Sequence, residues 1–393
     1  MRELNKVMFV GAMGALFLGS TLASMTAGAA EIELPSTLAW SAYPTGTSGY
    51  SQAVGIGSVL QNHYGVNLRV LPGRNDVSRL HPLRSGRVDF AASGSEAAYA
   101  QEGMYDFSVR DWGPQPVRVA LWNISDGCSF TFATAADAGI ENAEDLRGKR
   151  LTYVQGAPSL NNASAALLSY ANMTWDDVER VEVSGYPGSI EAIIEGRADA
   201  AGGSCNSASF LRVESSPRGL KFAAFPHDDE EAVQRVRSGL PWYVPHVAVQ
   251  GPTIDPEAGI EVFTSPYPML ITMADQEETL VYSMTKAMME HYDDYKDSAP
   301  GAEGWALDRQ GLETTFVPFH DGTVRYFQEI GIWTEAAEDN QQQNLKRQEI
   351  LQAAWQEFIE DAPRDGYAFR AAWRETRDGV VEANGLITIP ERW

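Results

Sequence analysis

Ser95 and Ser204 each close a nearly identical phrase, GRVDFAASGS from Gly86 to Ser95 and GRADAAGGS from Gly196 to Ser204. In each copy an apolar helical stretch ends at a glycine suited to the left-handed position after a helix. A strand of small residues follows and a Gly-Ser turn closes the unit. The chemistry on offer is that of donors: hydroxyls and main-chain N–H groups at the carboxyl end of a strand, where open α/β sheets hold ligands. Two such strand ends predict two lobes built alike, with Gly94-Ser95 and Gly203-Ser204 facing each other across one cleft.

A second recurrence supplies more donors. A strand from Thr37 to Tyr43 runs through Pro44-Thr45-Gly46-Thr47-Ser48-Gly49 into a helix carrying Val54, Val59 and Leu60. Later, Arg150 to Val154 runs through Gln155-Gly156-Ala157-Pro158-Ser159-Leu160-Asn161-Asn162 into a helix carrying Ala165 and Leu168. A loop that opens a helix after a strand presents unpaired N–H groups and the positive end of the helix dipole, which together suit a carboxylate. The candidate ligand-binding residues are therefore Thr45, Ser48, Gly49, Gly156, Ser159 and Asn161 in the two loops. Tyr43, Tyr50 and Tyr186 are expected as walls, and Ser95, Ser189 and Ser204 as hydroxyl donors. Glu96 has two readings, a carboxylate favoured in the first turn of a helix or a grip on a ligand ammonium. Arg74 and Arg87 are candidate carboxylate partners.

Catalysis fits these residues less well. The nearest nucleophile pattern, Gly49-Tyr50-Ser51-Gln52-Ala53, lacks the last glycine of a nucleophile elbow, and there is no His-Glu-x-x-His motif. His63, His81, His227, His246, His291 and His320 lie scattered without metal-ligand spacing. No enzyme activity, cofactor or metal is expected, and His320 reads as structural. Cys128 and Cys205 leave two alternatives open, a disulfide or two separate buried thiols.

The elements that must position these groups alternate in the α/β manner. Residues 1–30 read as a signal peptide: Arg2 and Lys6 precede an uncharged, mostly apolar run that ends in small residues before Glu31. Residues 31–126 are expected to form the first lobe, 127–245 the second, 246–335 a return to the first, and 336–393 a helical tail. Asp76 is expected to cap a helix that Pro82 kinks or shortens, and Ser189 to cap another. The stretch after Cys205, with Pro241, Pro245, Pro252 and Pro256, reads as connections, and one long final helix is expected from Ala336 to Ile359. The chain carries 30 Lys and Arg against 53 Asp and Glu, a net charge of −23. Nucleic acid and anionic membranes would be repelled by such a surface. An anionic ligand is still admissible, because long-range repulsion decays over about 8–10 Å at moderate salt while cleft donors act at contact distance.

Three segments together carry a resemblance: residues 73–95, residues 142–156 (NAEDLRGKRLTYVQG) and Phe316 to Trp333 (FVPFHDGTVRYFQEIGIW). In their order and spacing they resemble the TAXI family, the solute-binding subunits of one class of tripartite ATP-independent periplasmic (TRAP) transporters, from about Thr37 to Trp333. The resemblance implies a two-lobed α/β fold of the type II periplasmic binding class. It also implies a periplasmic location, a small organic anion such as a carboxylate or amino acid as ligand, and TRAP membrane permease subunits as partners. The loops Tyr43 to Tyr50 and Gly156 to Ser159 depart from the family's usual forms, which puts its glutamate or glutamine ligand in question. The alternatives are a periplasmic protein that presents a ligand to a sensor or chemoreceptor, and a secreted hydrolase.

Overall fold

In the computed structural model the described residues are 31–127 and 130–391. The expected signal peptide and Cys128 lie outside them, while Cys205 is buried in the second lobe. The chain enters with β1 (Thr37–Ala42), α1 (Ser48–Tyr64), β2 (Asn67–Pro72), α2 (Asp76–Arg84), β3 (Phe90–Ser93), α3 (Glu96–Glu102) and β4 (Val117–Leu121). It then crosses to β5 (Phe130–Ala135), β6 (Arg150–Val154), α4 (Pro158–Tyr170), β7 (Glu179–Val183), α5 (Tyr186–Ile194) and β8 (Ala200–Ser204). The same lobe continues through α6 (Phe210–Glu214), β9 (Leu220–Phe222), α7 (Glu230–Gly239), β10 (Val244–Ala248) and β11 (Ile260–Thr264). A second crossing returns it to β12 (Met269–Met273), α8 (Glu278–Glu290), α9 (Tyr292–Tyr295) and α10 (Asp321–Glu329), and α11 (Glu335–Asp361) and α12 (Gly366–Ala383) complete the fold.

The two sheets have the same plan. The first has the strand order β2-β1-β3-β12-β4, and the second β10-β11-β5-β8-β6-β7 with β9 paired to β5. In each, three strands form a parallel βαβαβ unit, β1-β2-β3 and β6-β7-β8, beside an antiparallel strand from the other part of the chain. This is the two-lobed α/β architecture expected, with two crossings between lobes that touch where the Tyr267 N–H donates to the Asn123 carbonyl at 2.9 Å. Among the described residues no helix is long and apolar enough to cross a membrane.

The repeated phrase explains why the two units match. Asp89 Oδ2 accepts the Ala39 N–H at 2.8 Å, and Asp199 Oδ2 accepts the Arg150 N–H at 3.0 Å. In return the Asp89 N–H donates to the Ala39 carbonyl and the Asp199 N–H to the Arg150 carbonyl, both at 2.8 Å. Each aspartate thus ties the start of its lobe's third strand to the first. The preceding Gly86 and Gly196 take φ of 65° and 73°, the left-handed turn that ends α2 and α5.

Several local expectations differ from the structure. The cap of α2 is Asn75, in a reciprocal pair with Ser78, and Asp76 is the first helical residue. That helix is short and ends at Arg84, two residues after Pro82. Ser189 is not a cap: α5 already begins at Tyr186, and Ser189 is buried inside it. The stretch after Cys205 holds α6, β9, α7, β10 and β11, and β10 and β11 extend the second sheet past residue 245, where the return was expected. Pro245 is compatible with a strand because β10 lies at the sheet edge, where a missing N–H breaks no ladder. The tail is a helical hairpin: α11 and α12 pack through Trp355, Phe358, Phe369 and Trp373. Its inner face meets α3, where Arg347 pairs with the fully buried Glu102 and the Trp373 Nε1–H donates to the Glu102 carbonyl.

Candidate functional site

Between the sheets lies a cavity of about 110 Å³. That is smaller than the cavity of about 150 Å³ that takes benzene, so as it stands it admits only a very small molecule. Gly94-Ser95 and Gly203-Ser204 both line it, from opposite lobes. Each glycine makes room for a tyrosine from its own lobe. A Cβ on Gly94 would stand 3.2 Å from Tyr43 Oη, and one on Gly203 would stand 2.8 Å from Tyr186 Oη and 2.9 Å from Phe210 Cζ. The Gly-Ser turns therefore seat a tyrosine wall in each lobe, as well as ending a strand.

Of the residues singled out by sequence, Tyr43, Ser95, Glu96, Ser159, Tyr186 and Ser204 line the cavity, and so does Arg74. Thr45, Ser48, Gly49, Tyr50, Gly156, Asn161, Ser189 and Arg87 do not. Thr45 is exposed. Ser48 and Gly49 are buried in the first turn of α1, where a Cβ on Gly49 would meet the Tyr43 ring at 2.7 Å. Tyr50 is half-buried outside the cavity. Asn161 turns back on its own strand end: its Oδ1 accepts the Val154 N–H at 2.9 Å and its Nδ2 donates to the Val154 carbonyl at 2.8 Å.

The electrostatic centre of the site is a cluster on the first lobe. Arg79 is almost wholly buried, and its Nη2 donates to Asp76 Oδ1 at 2.7 Å and to Glu96 Oε1 at 2.6 Å. Its guanidinium lies 3.9 Å above the Tyr43 ring, and the Tyr43 hydroxyl donates to Glu96 Oε1 at 3.3 Å. Burial is the largest influence raising the Asp76 carboxyl to about 7, and the neighbouring Glu96 charge adds to it against the pull of Arg79. Burial likewise raises the Tyr43 hydroxyl well above its usual range. Glu96 is thus engaged by Arg79 and Tyr43. Arg74, exposed at the rim, has no ion-pair partner among the described residues.

The lobes touch at several points. Asp76 Oδ2 accepts the Ser159 N–H at 2.8 Å, so the donor at the start of α4 that was expected to hold a ligand carboxylate holds one from the opposite lobe. Beside it, Asn75 Nδ2 donates to the Gln155 carbonyl at 2.9 Å, and the Tyr186 N–H to the Arg74 carbonyl at 3.1 Å. Gly156 is at this contact, where a Cβ would lie 2.6 Å from Asn75 Nδ2. Elsewhere between the lobes the Ser209 N–H reaches the Gly46 carbonyl at 3.0 Å, Trp242 Nε1–H reaches Ser95 Oγ at 2.7 Å, and the buried Asn162 Nδ2 reaches Tyr99 Oη at 2.6 Å. His320 lies away from the cavity lining and caps α10, its Nδ1 accepting the Gly322 N–H while Nε2 faces the Gln276 carbonyl at 3.1 Å.

Asp76, Arg79, Tyr243 and Tyr267 also line the cavity, and sequence reasoning passed over all four as site residues. The available signal was the Asp-x-x-Arg spacing on α2, which places both side chains on one helix face.

Among solved structures, the chain resembles an ancestral arginine-binding protein bound to glutamine at 15% identity and a TM-score of 0.43, over 70% of this chain and 99% of that one. It resembles a protein from Bordetella bronchiseptica RB50 at 13% identity and a TM-score of 0.45, over 89% of this chain and 98% of the other. An amino acid ABC transporter substrate-binding protein from Streptococcus pneumoniae bound to L-arginine aligns at 12% identity and a TM-score of 0.42, covering 68% and 92% of the two chains. No curated protein matches the chain. The NMT1-like family model matches residues 42–331, a span that runs from the last residue of β1 past the end of α10 and holds every residue lining the cavity, and the chain belongs to the NMT1-like family.

Proposed function

We propose that this is an extracytoplasmic solute-binding protein that closes its two lobes over a small organic anion, a carboxylate of the amino-acid class, and delivers it to a TRAP-type permease. The observation that carries the reading is the cavity itself, walled by matching strand ends and tyrosines from both lobes. A ligand held there touches both lobes at once, and only such a ligand favours the closed form over the open one. Arg79 is committed to Asp76 and Glu96, which leaves Arg74 as the cation for a ligand carboxylate. The Ser95 hydroxyl, which accepts from Trp242 and keeps its own proton to donate, and the rings of Tyr43 and Tyr186 complete the grip, while the Ser204 hydroxyl donates to Asn206 Oδ1 at 3.0 Å. The leader-like residues 1–30 support export to the periplasm, and the TAXI-like segments support a TRAP permease as the partner.

The test is a thermal-shift screen of carboxylic and amino acids on the purified protein, followed by calorimetric titration of any hit. One class of small acid is expected to raise the melting temperature, and Arg74→Ala to weaken its binding at least tenfold. Stabilisation by no small acid, or binding indifferent to Arg74→Ala, overturns the reading. Uptake into vesicles carrying the permease is expected to require an ion gradient and to proceed without ATP.

A further inference from the structure

On the first lobe, outside the cavity, the last turn of α1 meets the corner between α8 and α9, and three side chains from these elements converge. One ligand atom from each of His63, His291 and Asp294 lies within 4.8 Å of the other two. Asp294 Oδ2 is 2.9 Å from His63 Nε2 and 3.3 Å from His291 Nδ1. Four ligands placed tetrahedrally at about 2.0–2.1 Å from a zinc ion are about 3.3–3.4 Å apart, so these separations are close to the edges of such a tetrahedron.

The two imidazole rings stack with centroids 3.7 Å apart and planes 26° from parallel. On one tetrahedral ion the two centroids would stand about 5 Å apart, so the exposed His63 ring turns out of the stack when the ion binds. The other nitrogen of His291, Nε2, is 2.9 Å from Tyr64 Oη. With Nε2 facing Tyr64, Nδ1 is the His291 nitrogen turned toward Asp294 and placed to coordinate an ion beside it. His63 and Asp294 are 39% and 50% exposed, which leaves a fourth position open to water.

We propose that His63, His291 and Asp294 form a surface site for a zinc-class divalent transition metal ion, with Tyr64 as a positioning residue that orients His291. Two imidazoles and one carboxylate favour zinc, copper or nickel over magnesium or calcium. The ion fastens the carboxyl end of α1 to the α8–α9 corner. The site was hidden in the sequence because its histidines come from opposite ends of the first lobe's chain path.

The experiment is calorimetric titration of the chelator-stripped full chain with zinc chloride. One zinc per chain is expected to bind at neutral pH, weakening as the pH falls through the imidazole range because protons compete for the ligands. His63→Ala and His291→Ala are each expected to remove that binding. Tyr64→Phe should weaken it about tenfold or more, and His246→Ala should leave it unchanged. His63 is exposed enough for its variant to fold even if the His291 variant does not. Absence of a zinc isotherm in the parent protein, or an isotherm that survives His63→Ala, overturns the proposal and leaves a proton shared with the carboxylate as the reason for the cluster.

Discussion

The buried Arg79 shows how much one side chain can hold in place. Taking a guanidinium and two carboxylates out of water is costly, and each is tolerated only because the others are present. Arg79→Met is therefore expected to lower stability by about 3–5 kcal/mol, as removal of one partner from a buried ion cluster does. Adding Glu96→Gln should recover part of that loss by removing one of the stranded charges. Urea unfolding of the two single variants and the double variant measures the coupling, and simple additivity would show that the three groups do not act as a unit. Glycine gives a cleaner contrast. Gly203→Ala drives a methyl against Tyr186 and Phe210 and should cost about 1–3 kcal/mol by overpacking. Gly379→Ala meets nothing within 4 Å on the exposed side of α12 and should stabilise by about 0.5–1 kcal/mol. Equal effects in the same unfolding experiment would mean that the Gly-Ser turn is not a packing requirement.

At the scale of elements, the aspartates of the repeated phrase act as register pins between strands. Hydrogen bonds from Arg150 hold the Asp199 carboxyl down at about 2, with Arg218 adding to them. A carboxyl lowered in the folded state stabilises it above the unfolded value near 4, and that contribution is lost as the pH falls through about 2. Asp199→Asn should therefore cost about 1.5–3 kcal/mol at pH 7, in the range of hydrogen bonds to charged groups. The difference from the parent should shrink between about pH 4 and pH 2, and a pH-independent difference in melting temperature would refute the pin. Much of this scale was legible beforehand because it is local. The Gly-Arg-x-Asp turns, the helix-opening loops and the small-residue strands all carry short-range signals. The edge strand β10 was hidden by Pro245, since only the assembled sheet shows that its N–H side needs no partner. The second tail helix α12 went unread, and the start of α5 was misplaced because Ser189 is a stronger capping residue by type than Gly185. Of the Asp76–Arg79–Glu96 cluster only the Asp-x-x-Arg spacing was legible: Glu96 and Arg79 sit on separate helices, and Asp76 finds its second partner only on the opposite lobe.

With lobes that open and close as proposed, that last contact should couple the whole molecule to pH. Asp76 bridges the lobes by accepting the Ser159 N–H while Arg79 holds its other oxygen, and burial with Glu96 nearby raises its carboxyl to about 7 from an ordinary value of 3.8. Opening the cleft returns Asp76 to water and toward that ordinary value. The closed form therefore binds a proton that the open form releases over the window from about 4 to 7. By linkage, closure without ligand is strongest below about pH 4, weakens as the pH rises through 7, and is level above that. The Ser159 hydrogen bonds and the dipole of α4 argue the other way, since both favour an ionised Asp76 and both are lost on opening, but they rank below the burial that opening relieves. Small-angle scattering of the ligand-free protein should show its radius of gyration rising between pH 5 and pH 7.5, and Asp76→Asn should abolish that rise while keeping an acceptor for Ser159. A radius that falls with pH, or a rise that persists in Asp76→Asn, would mean that the dipole dominates or that other groups open the cleft.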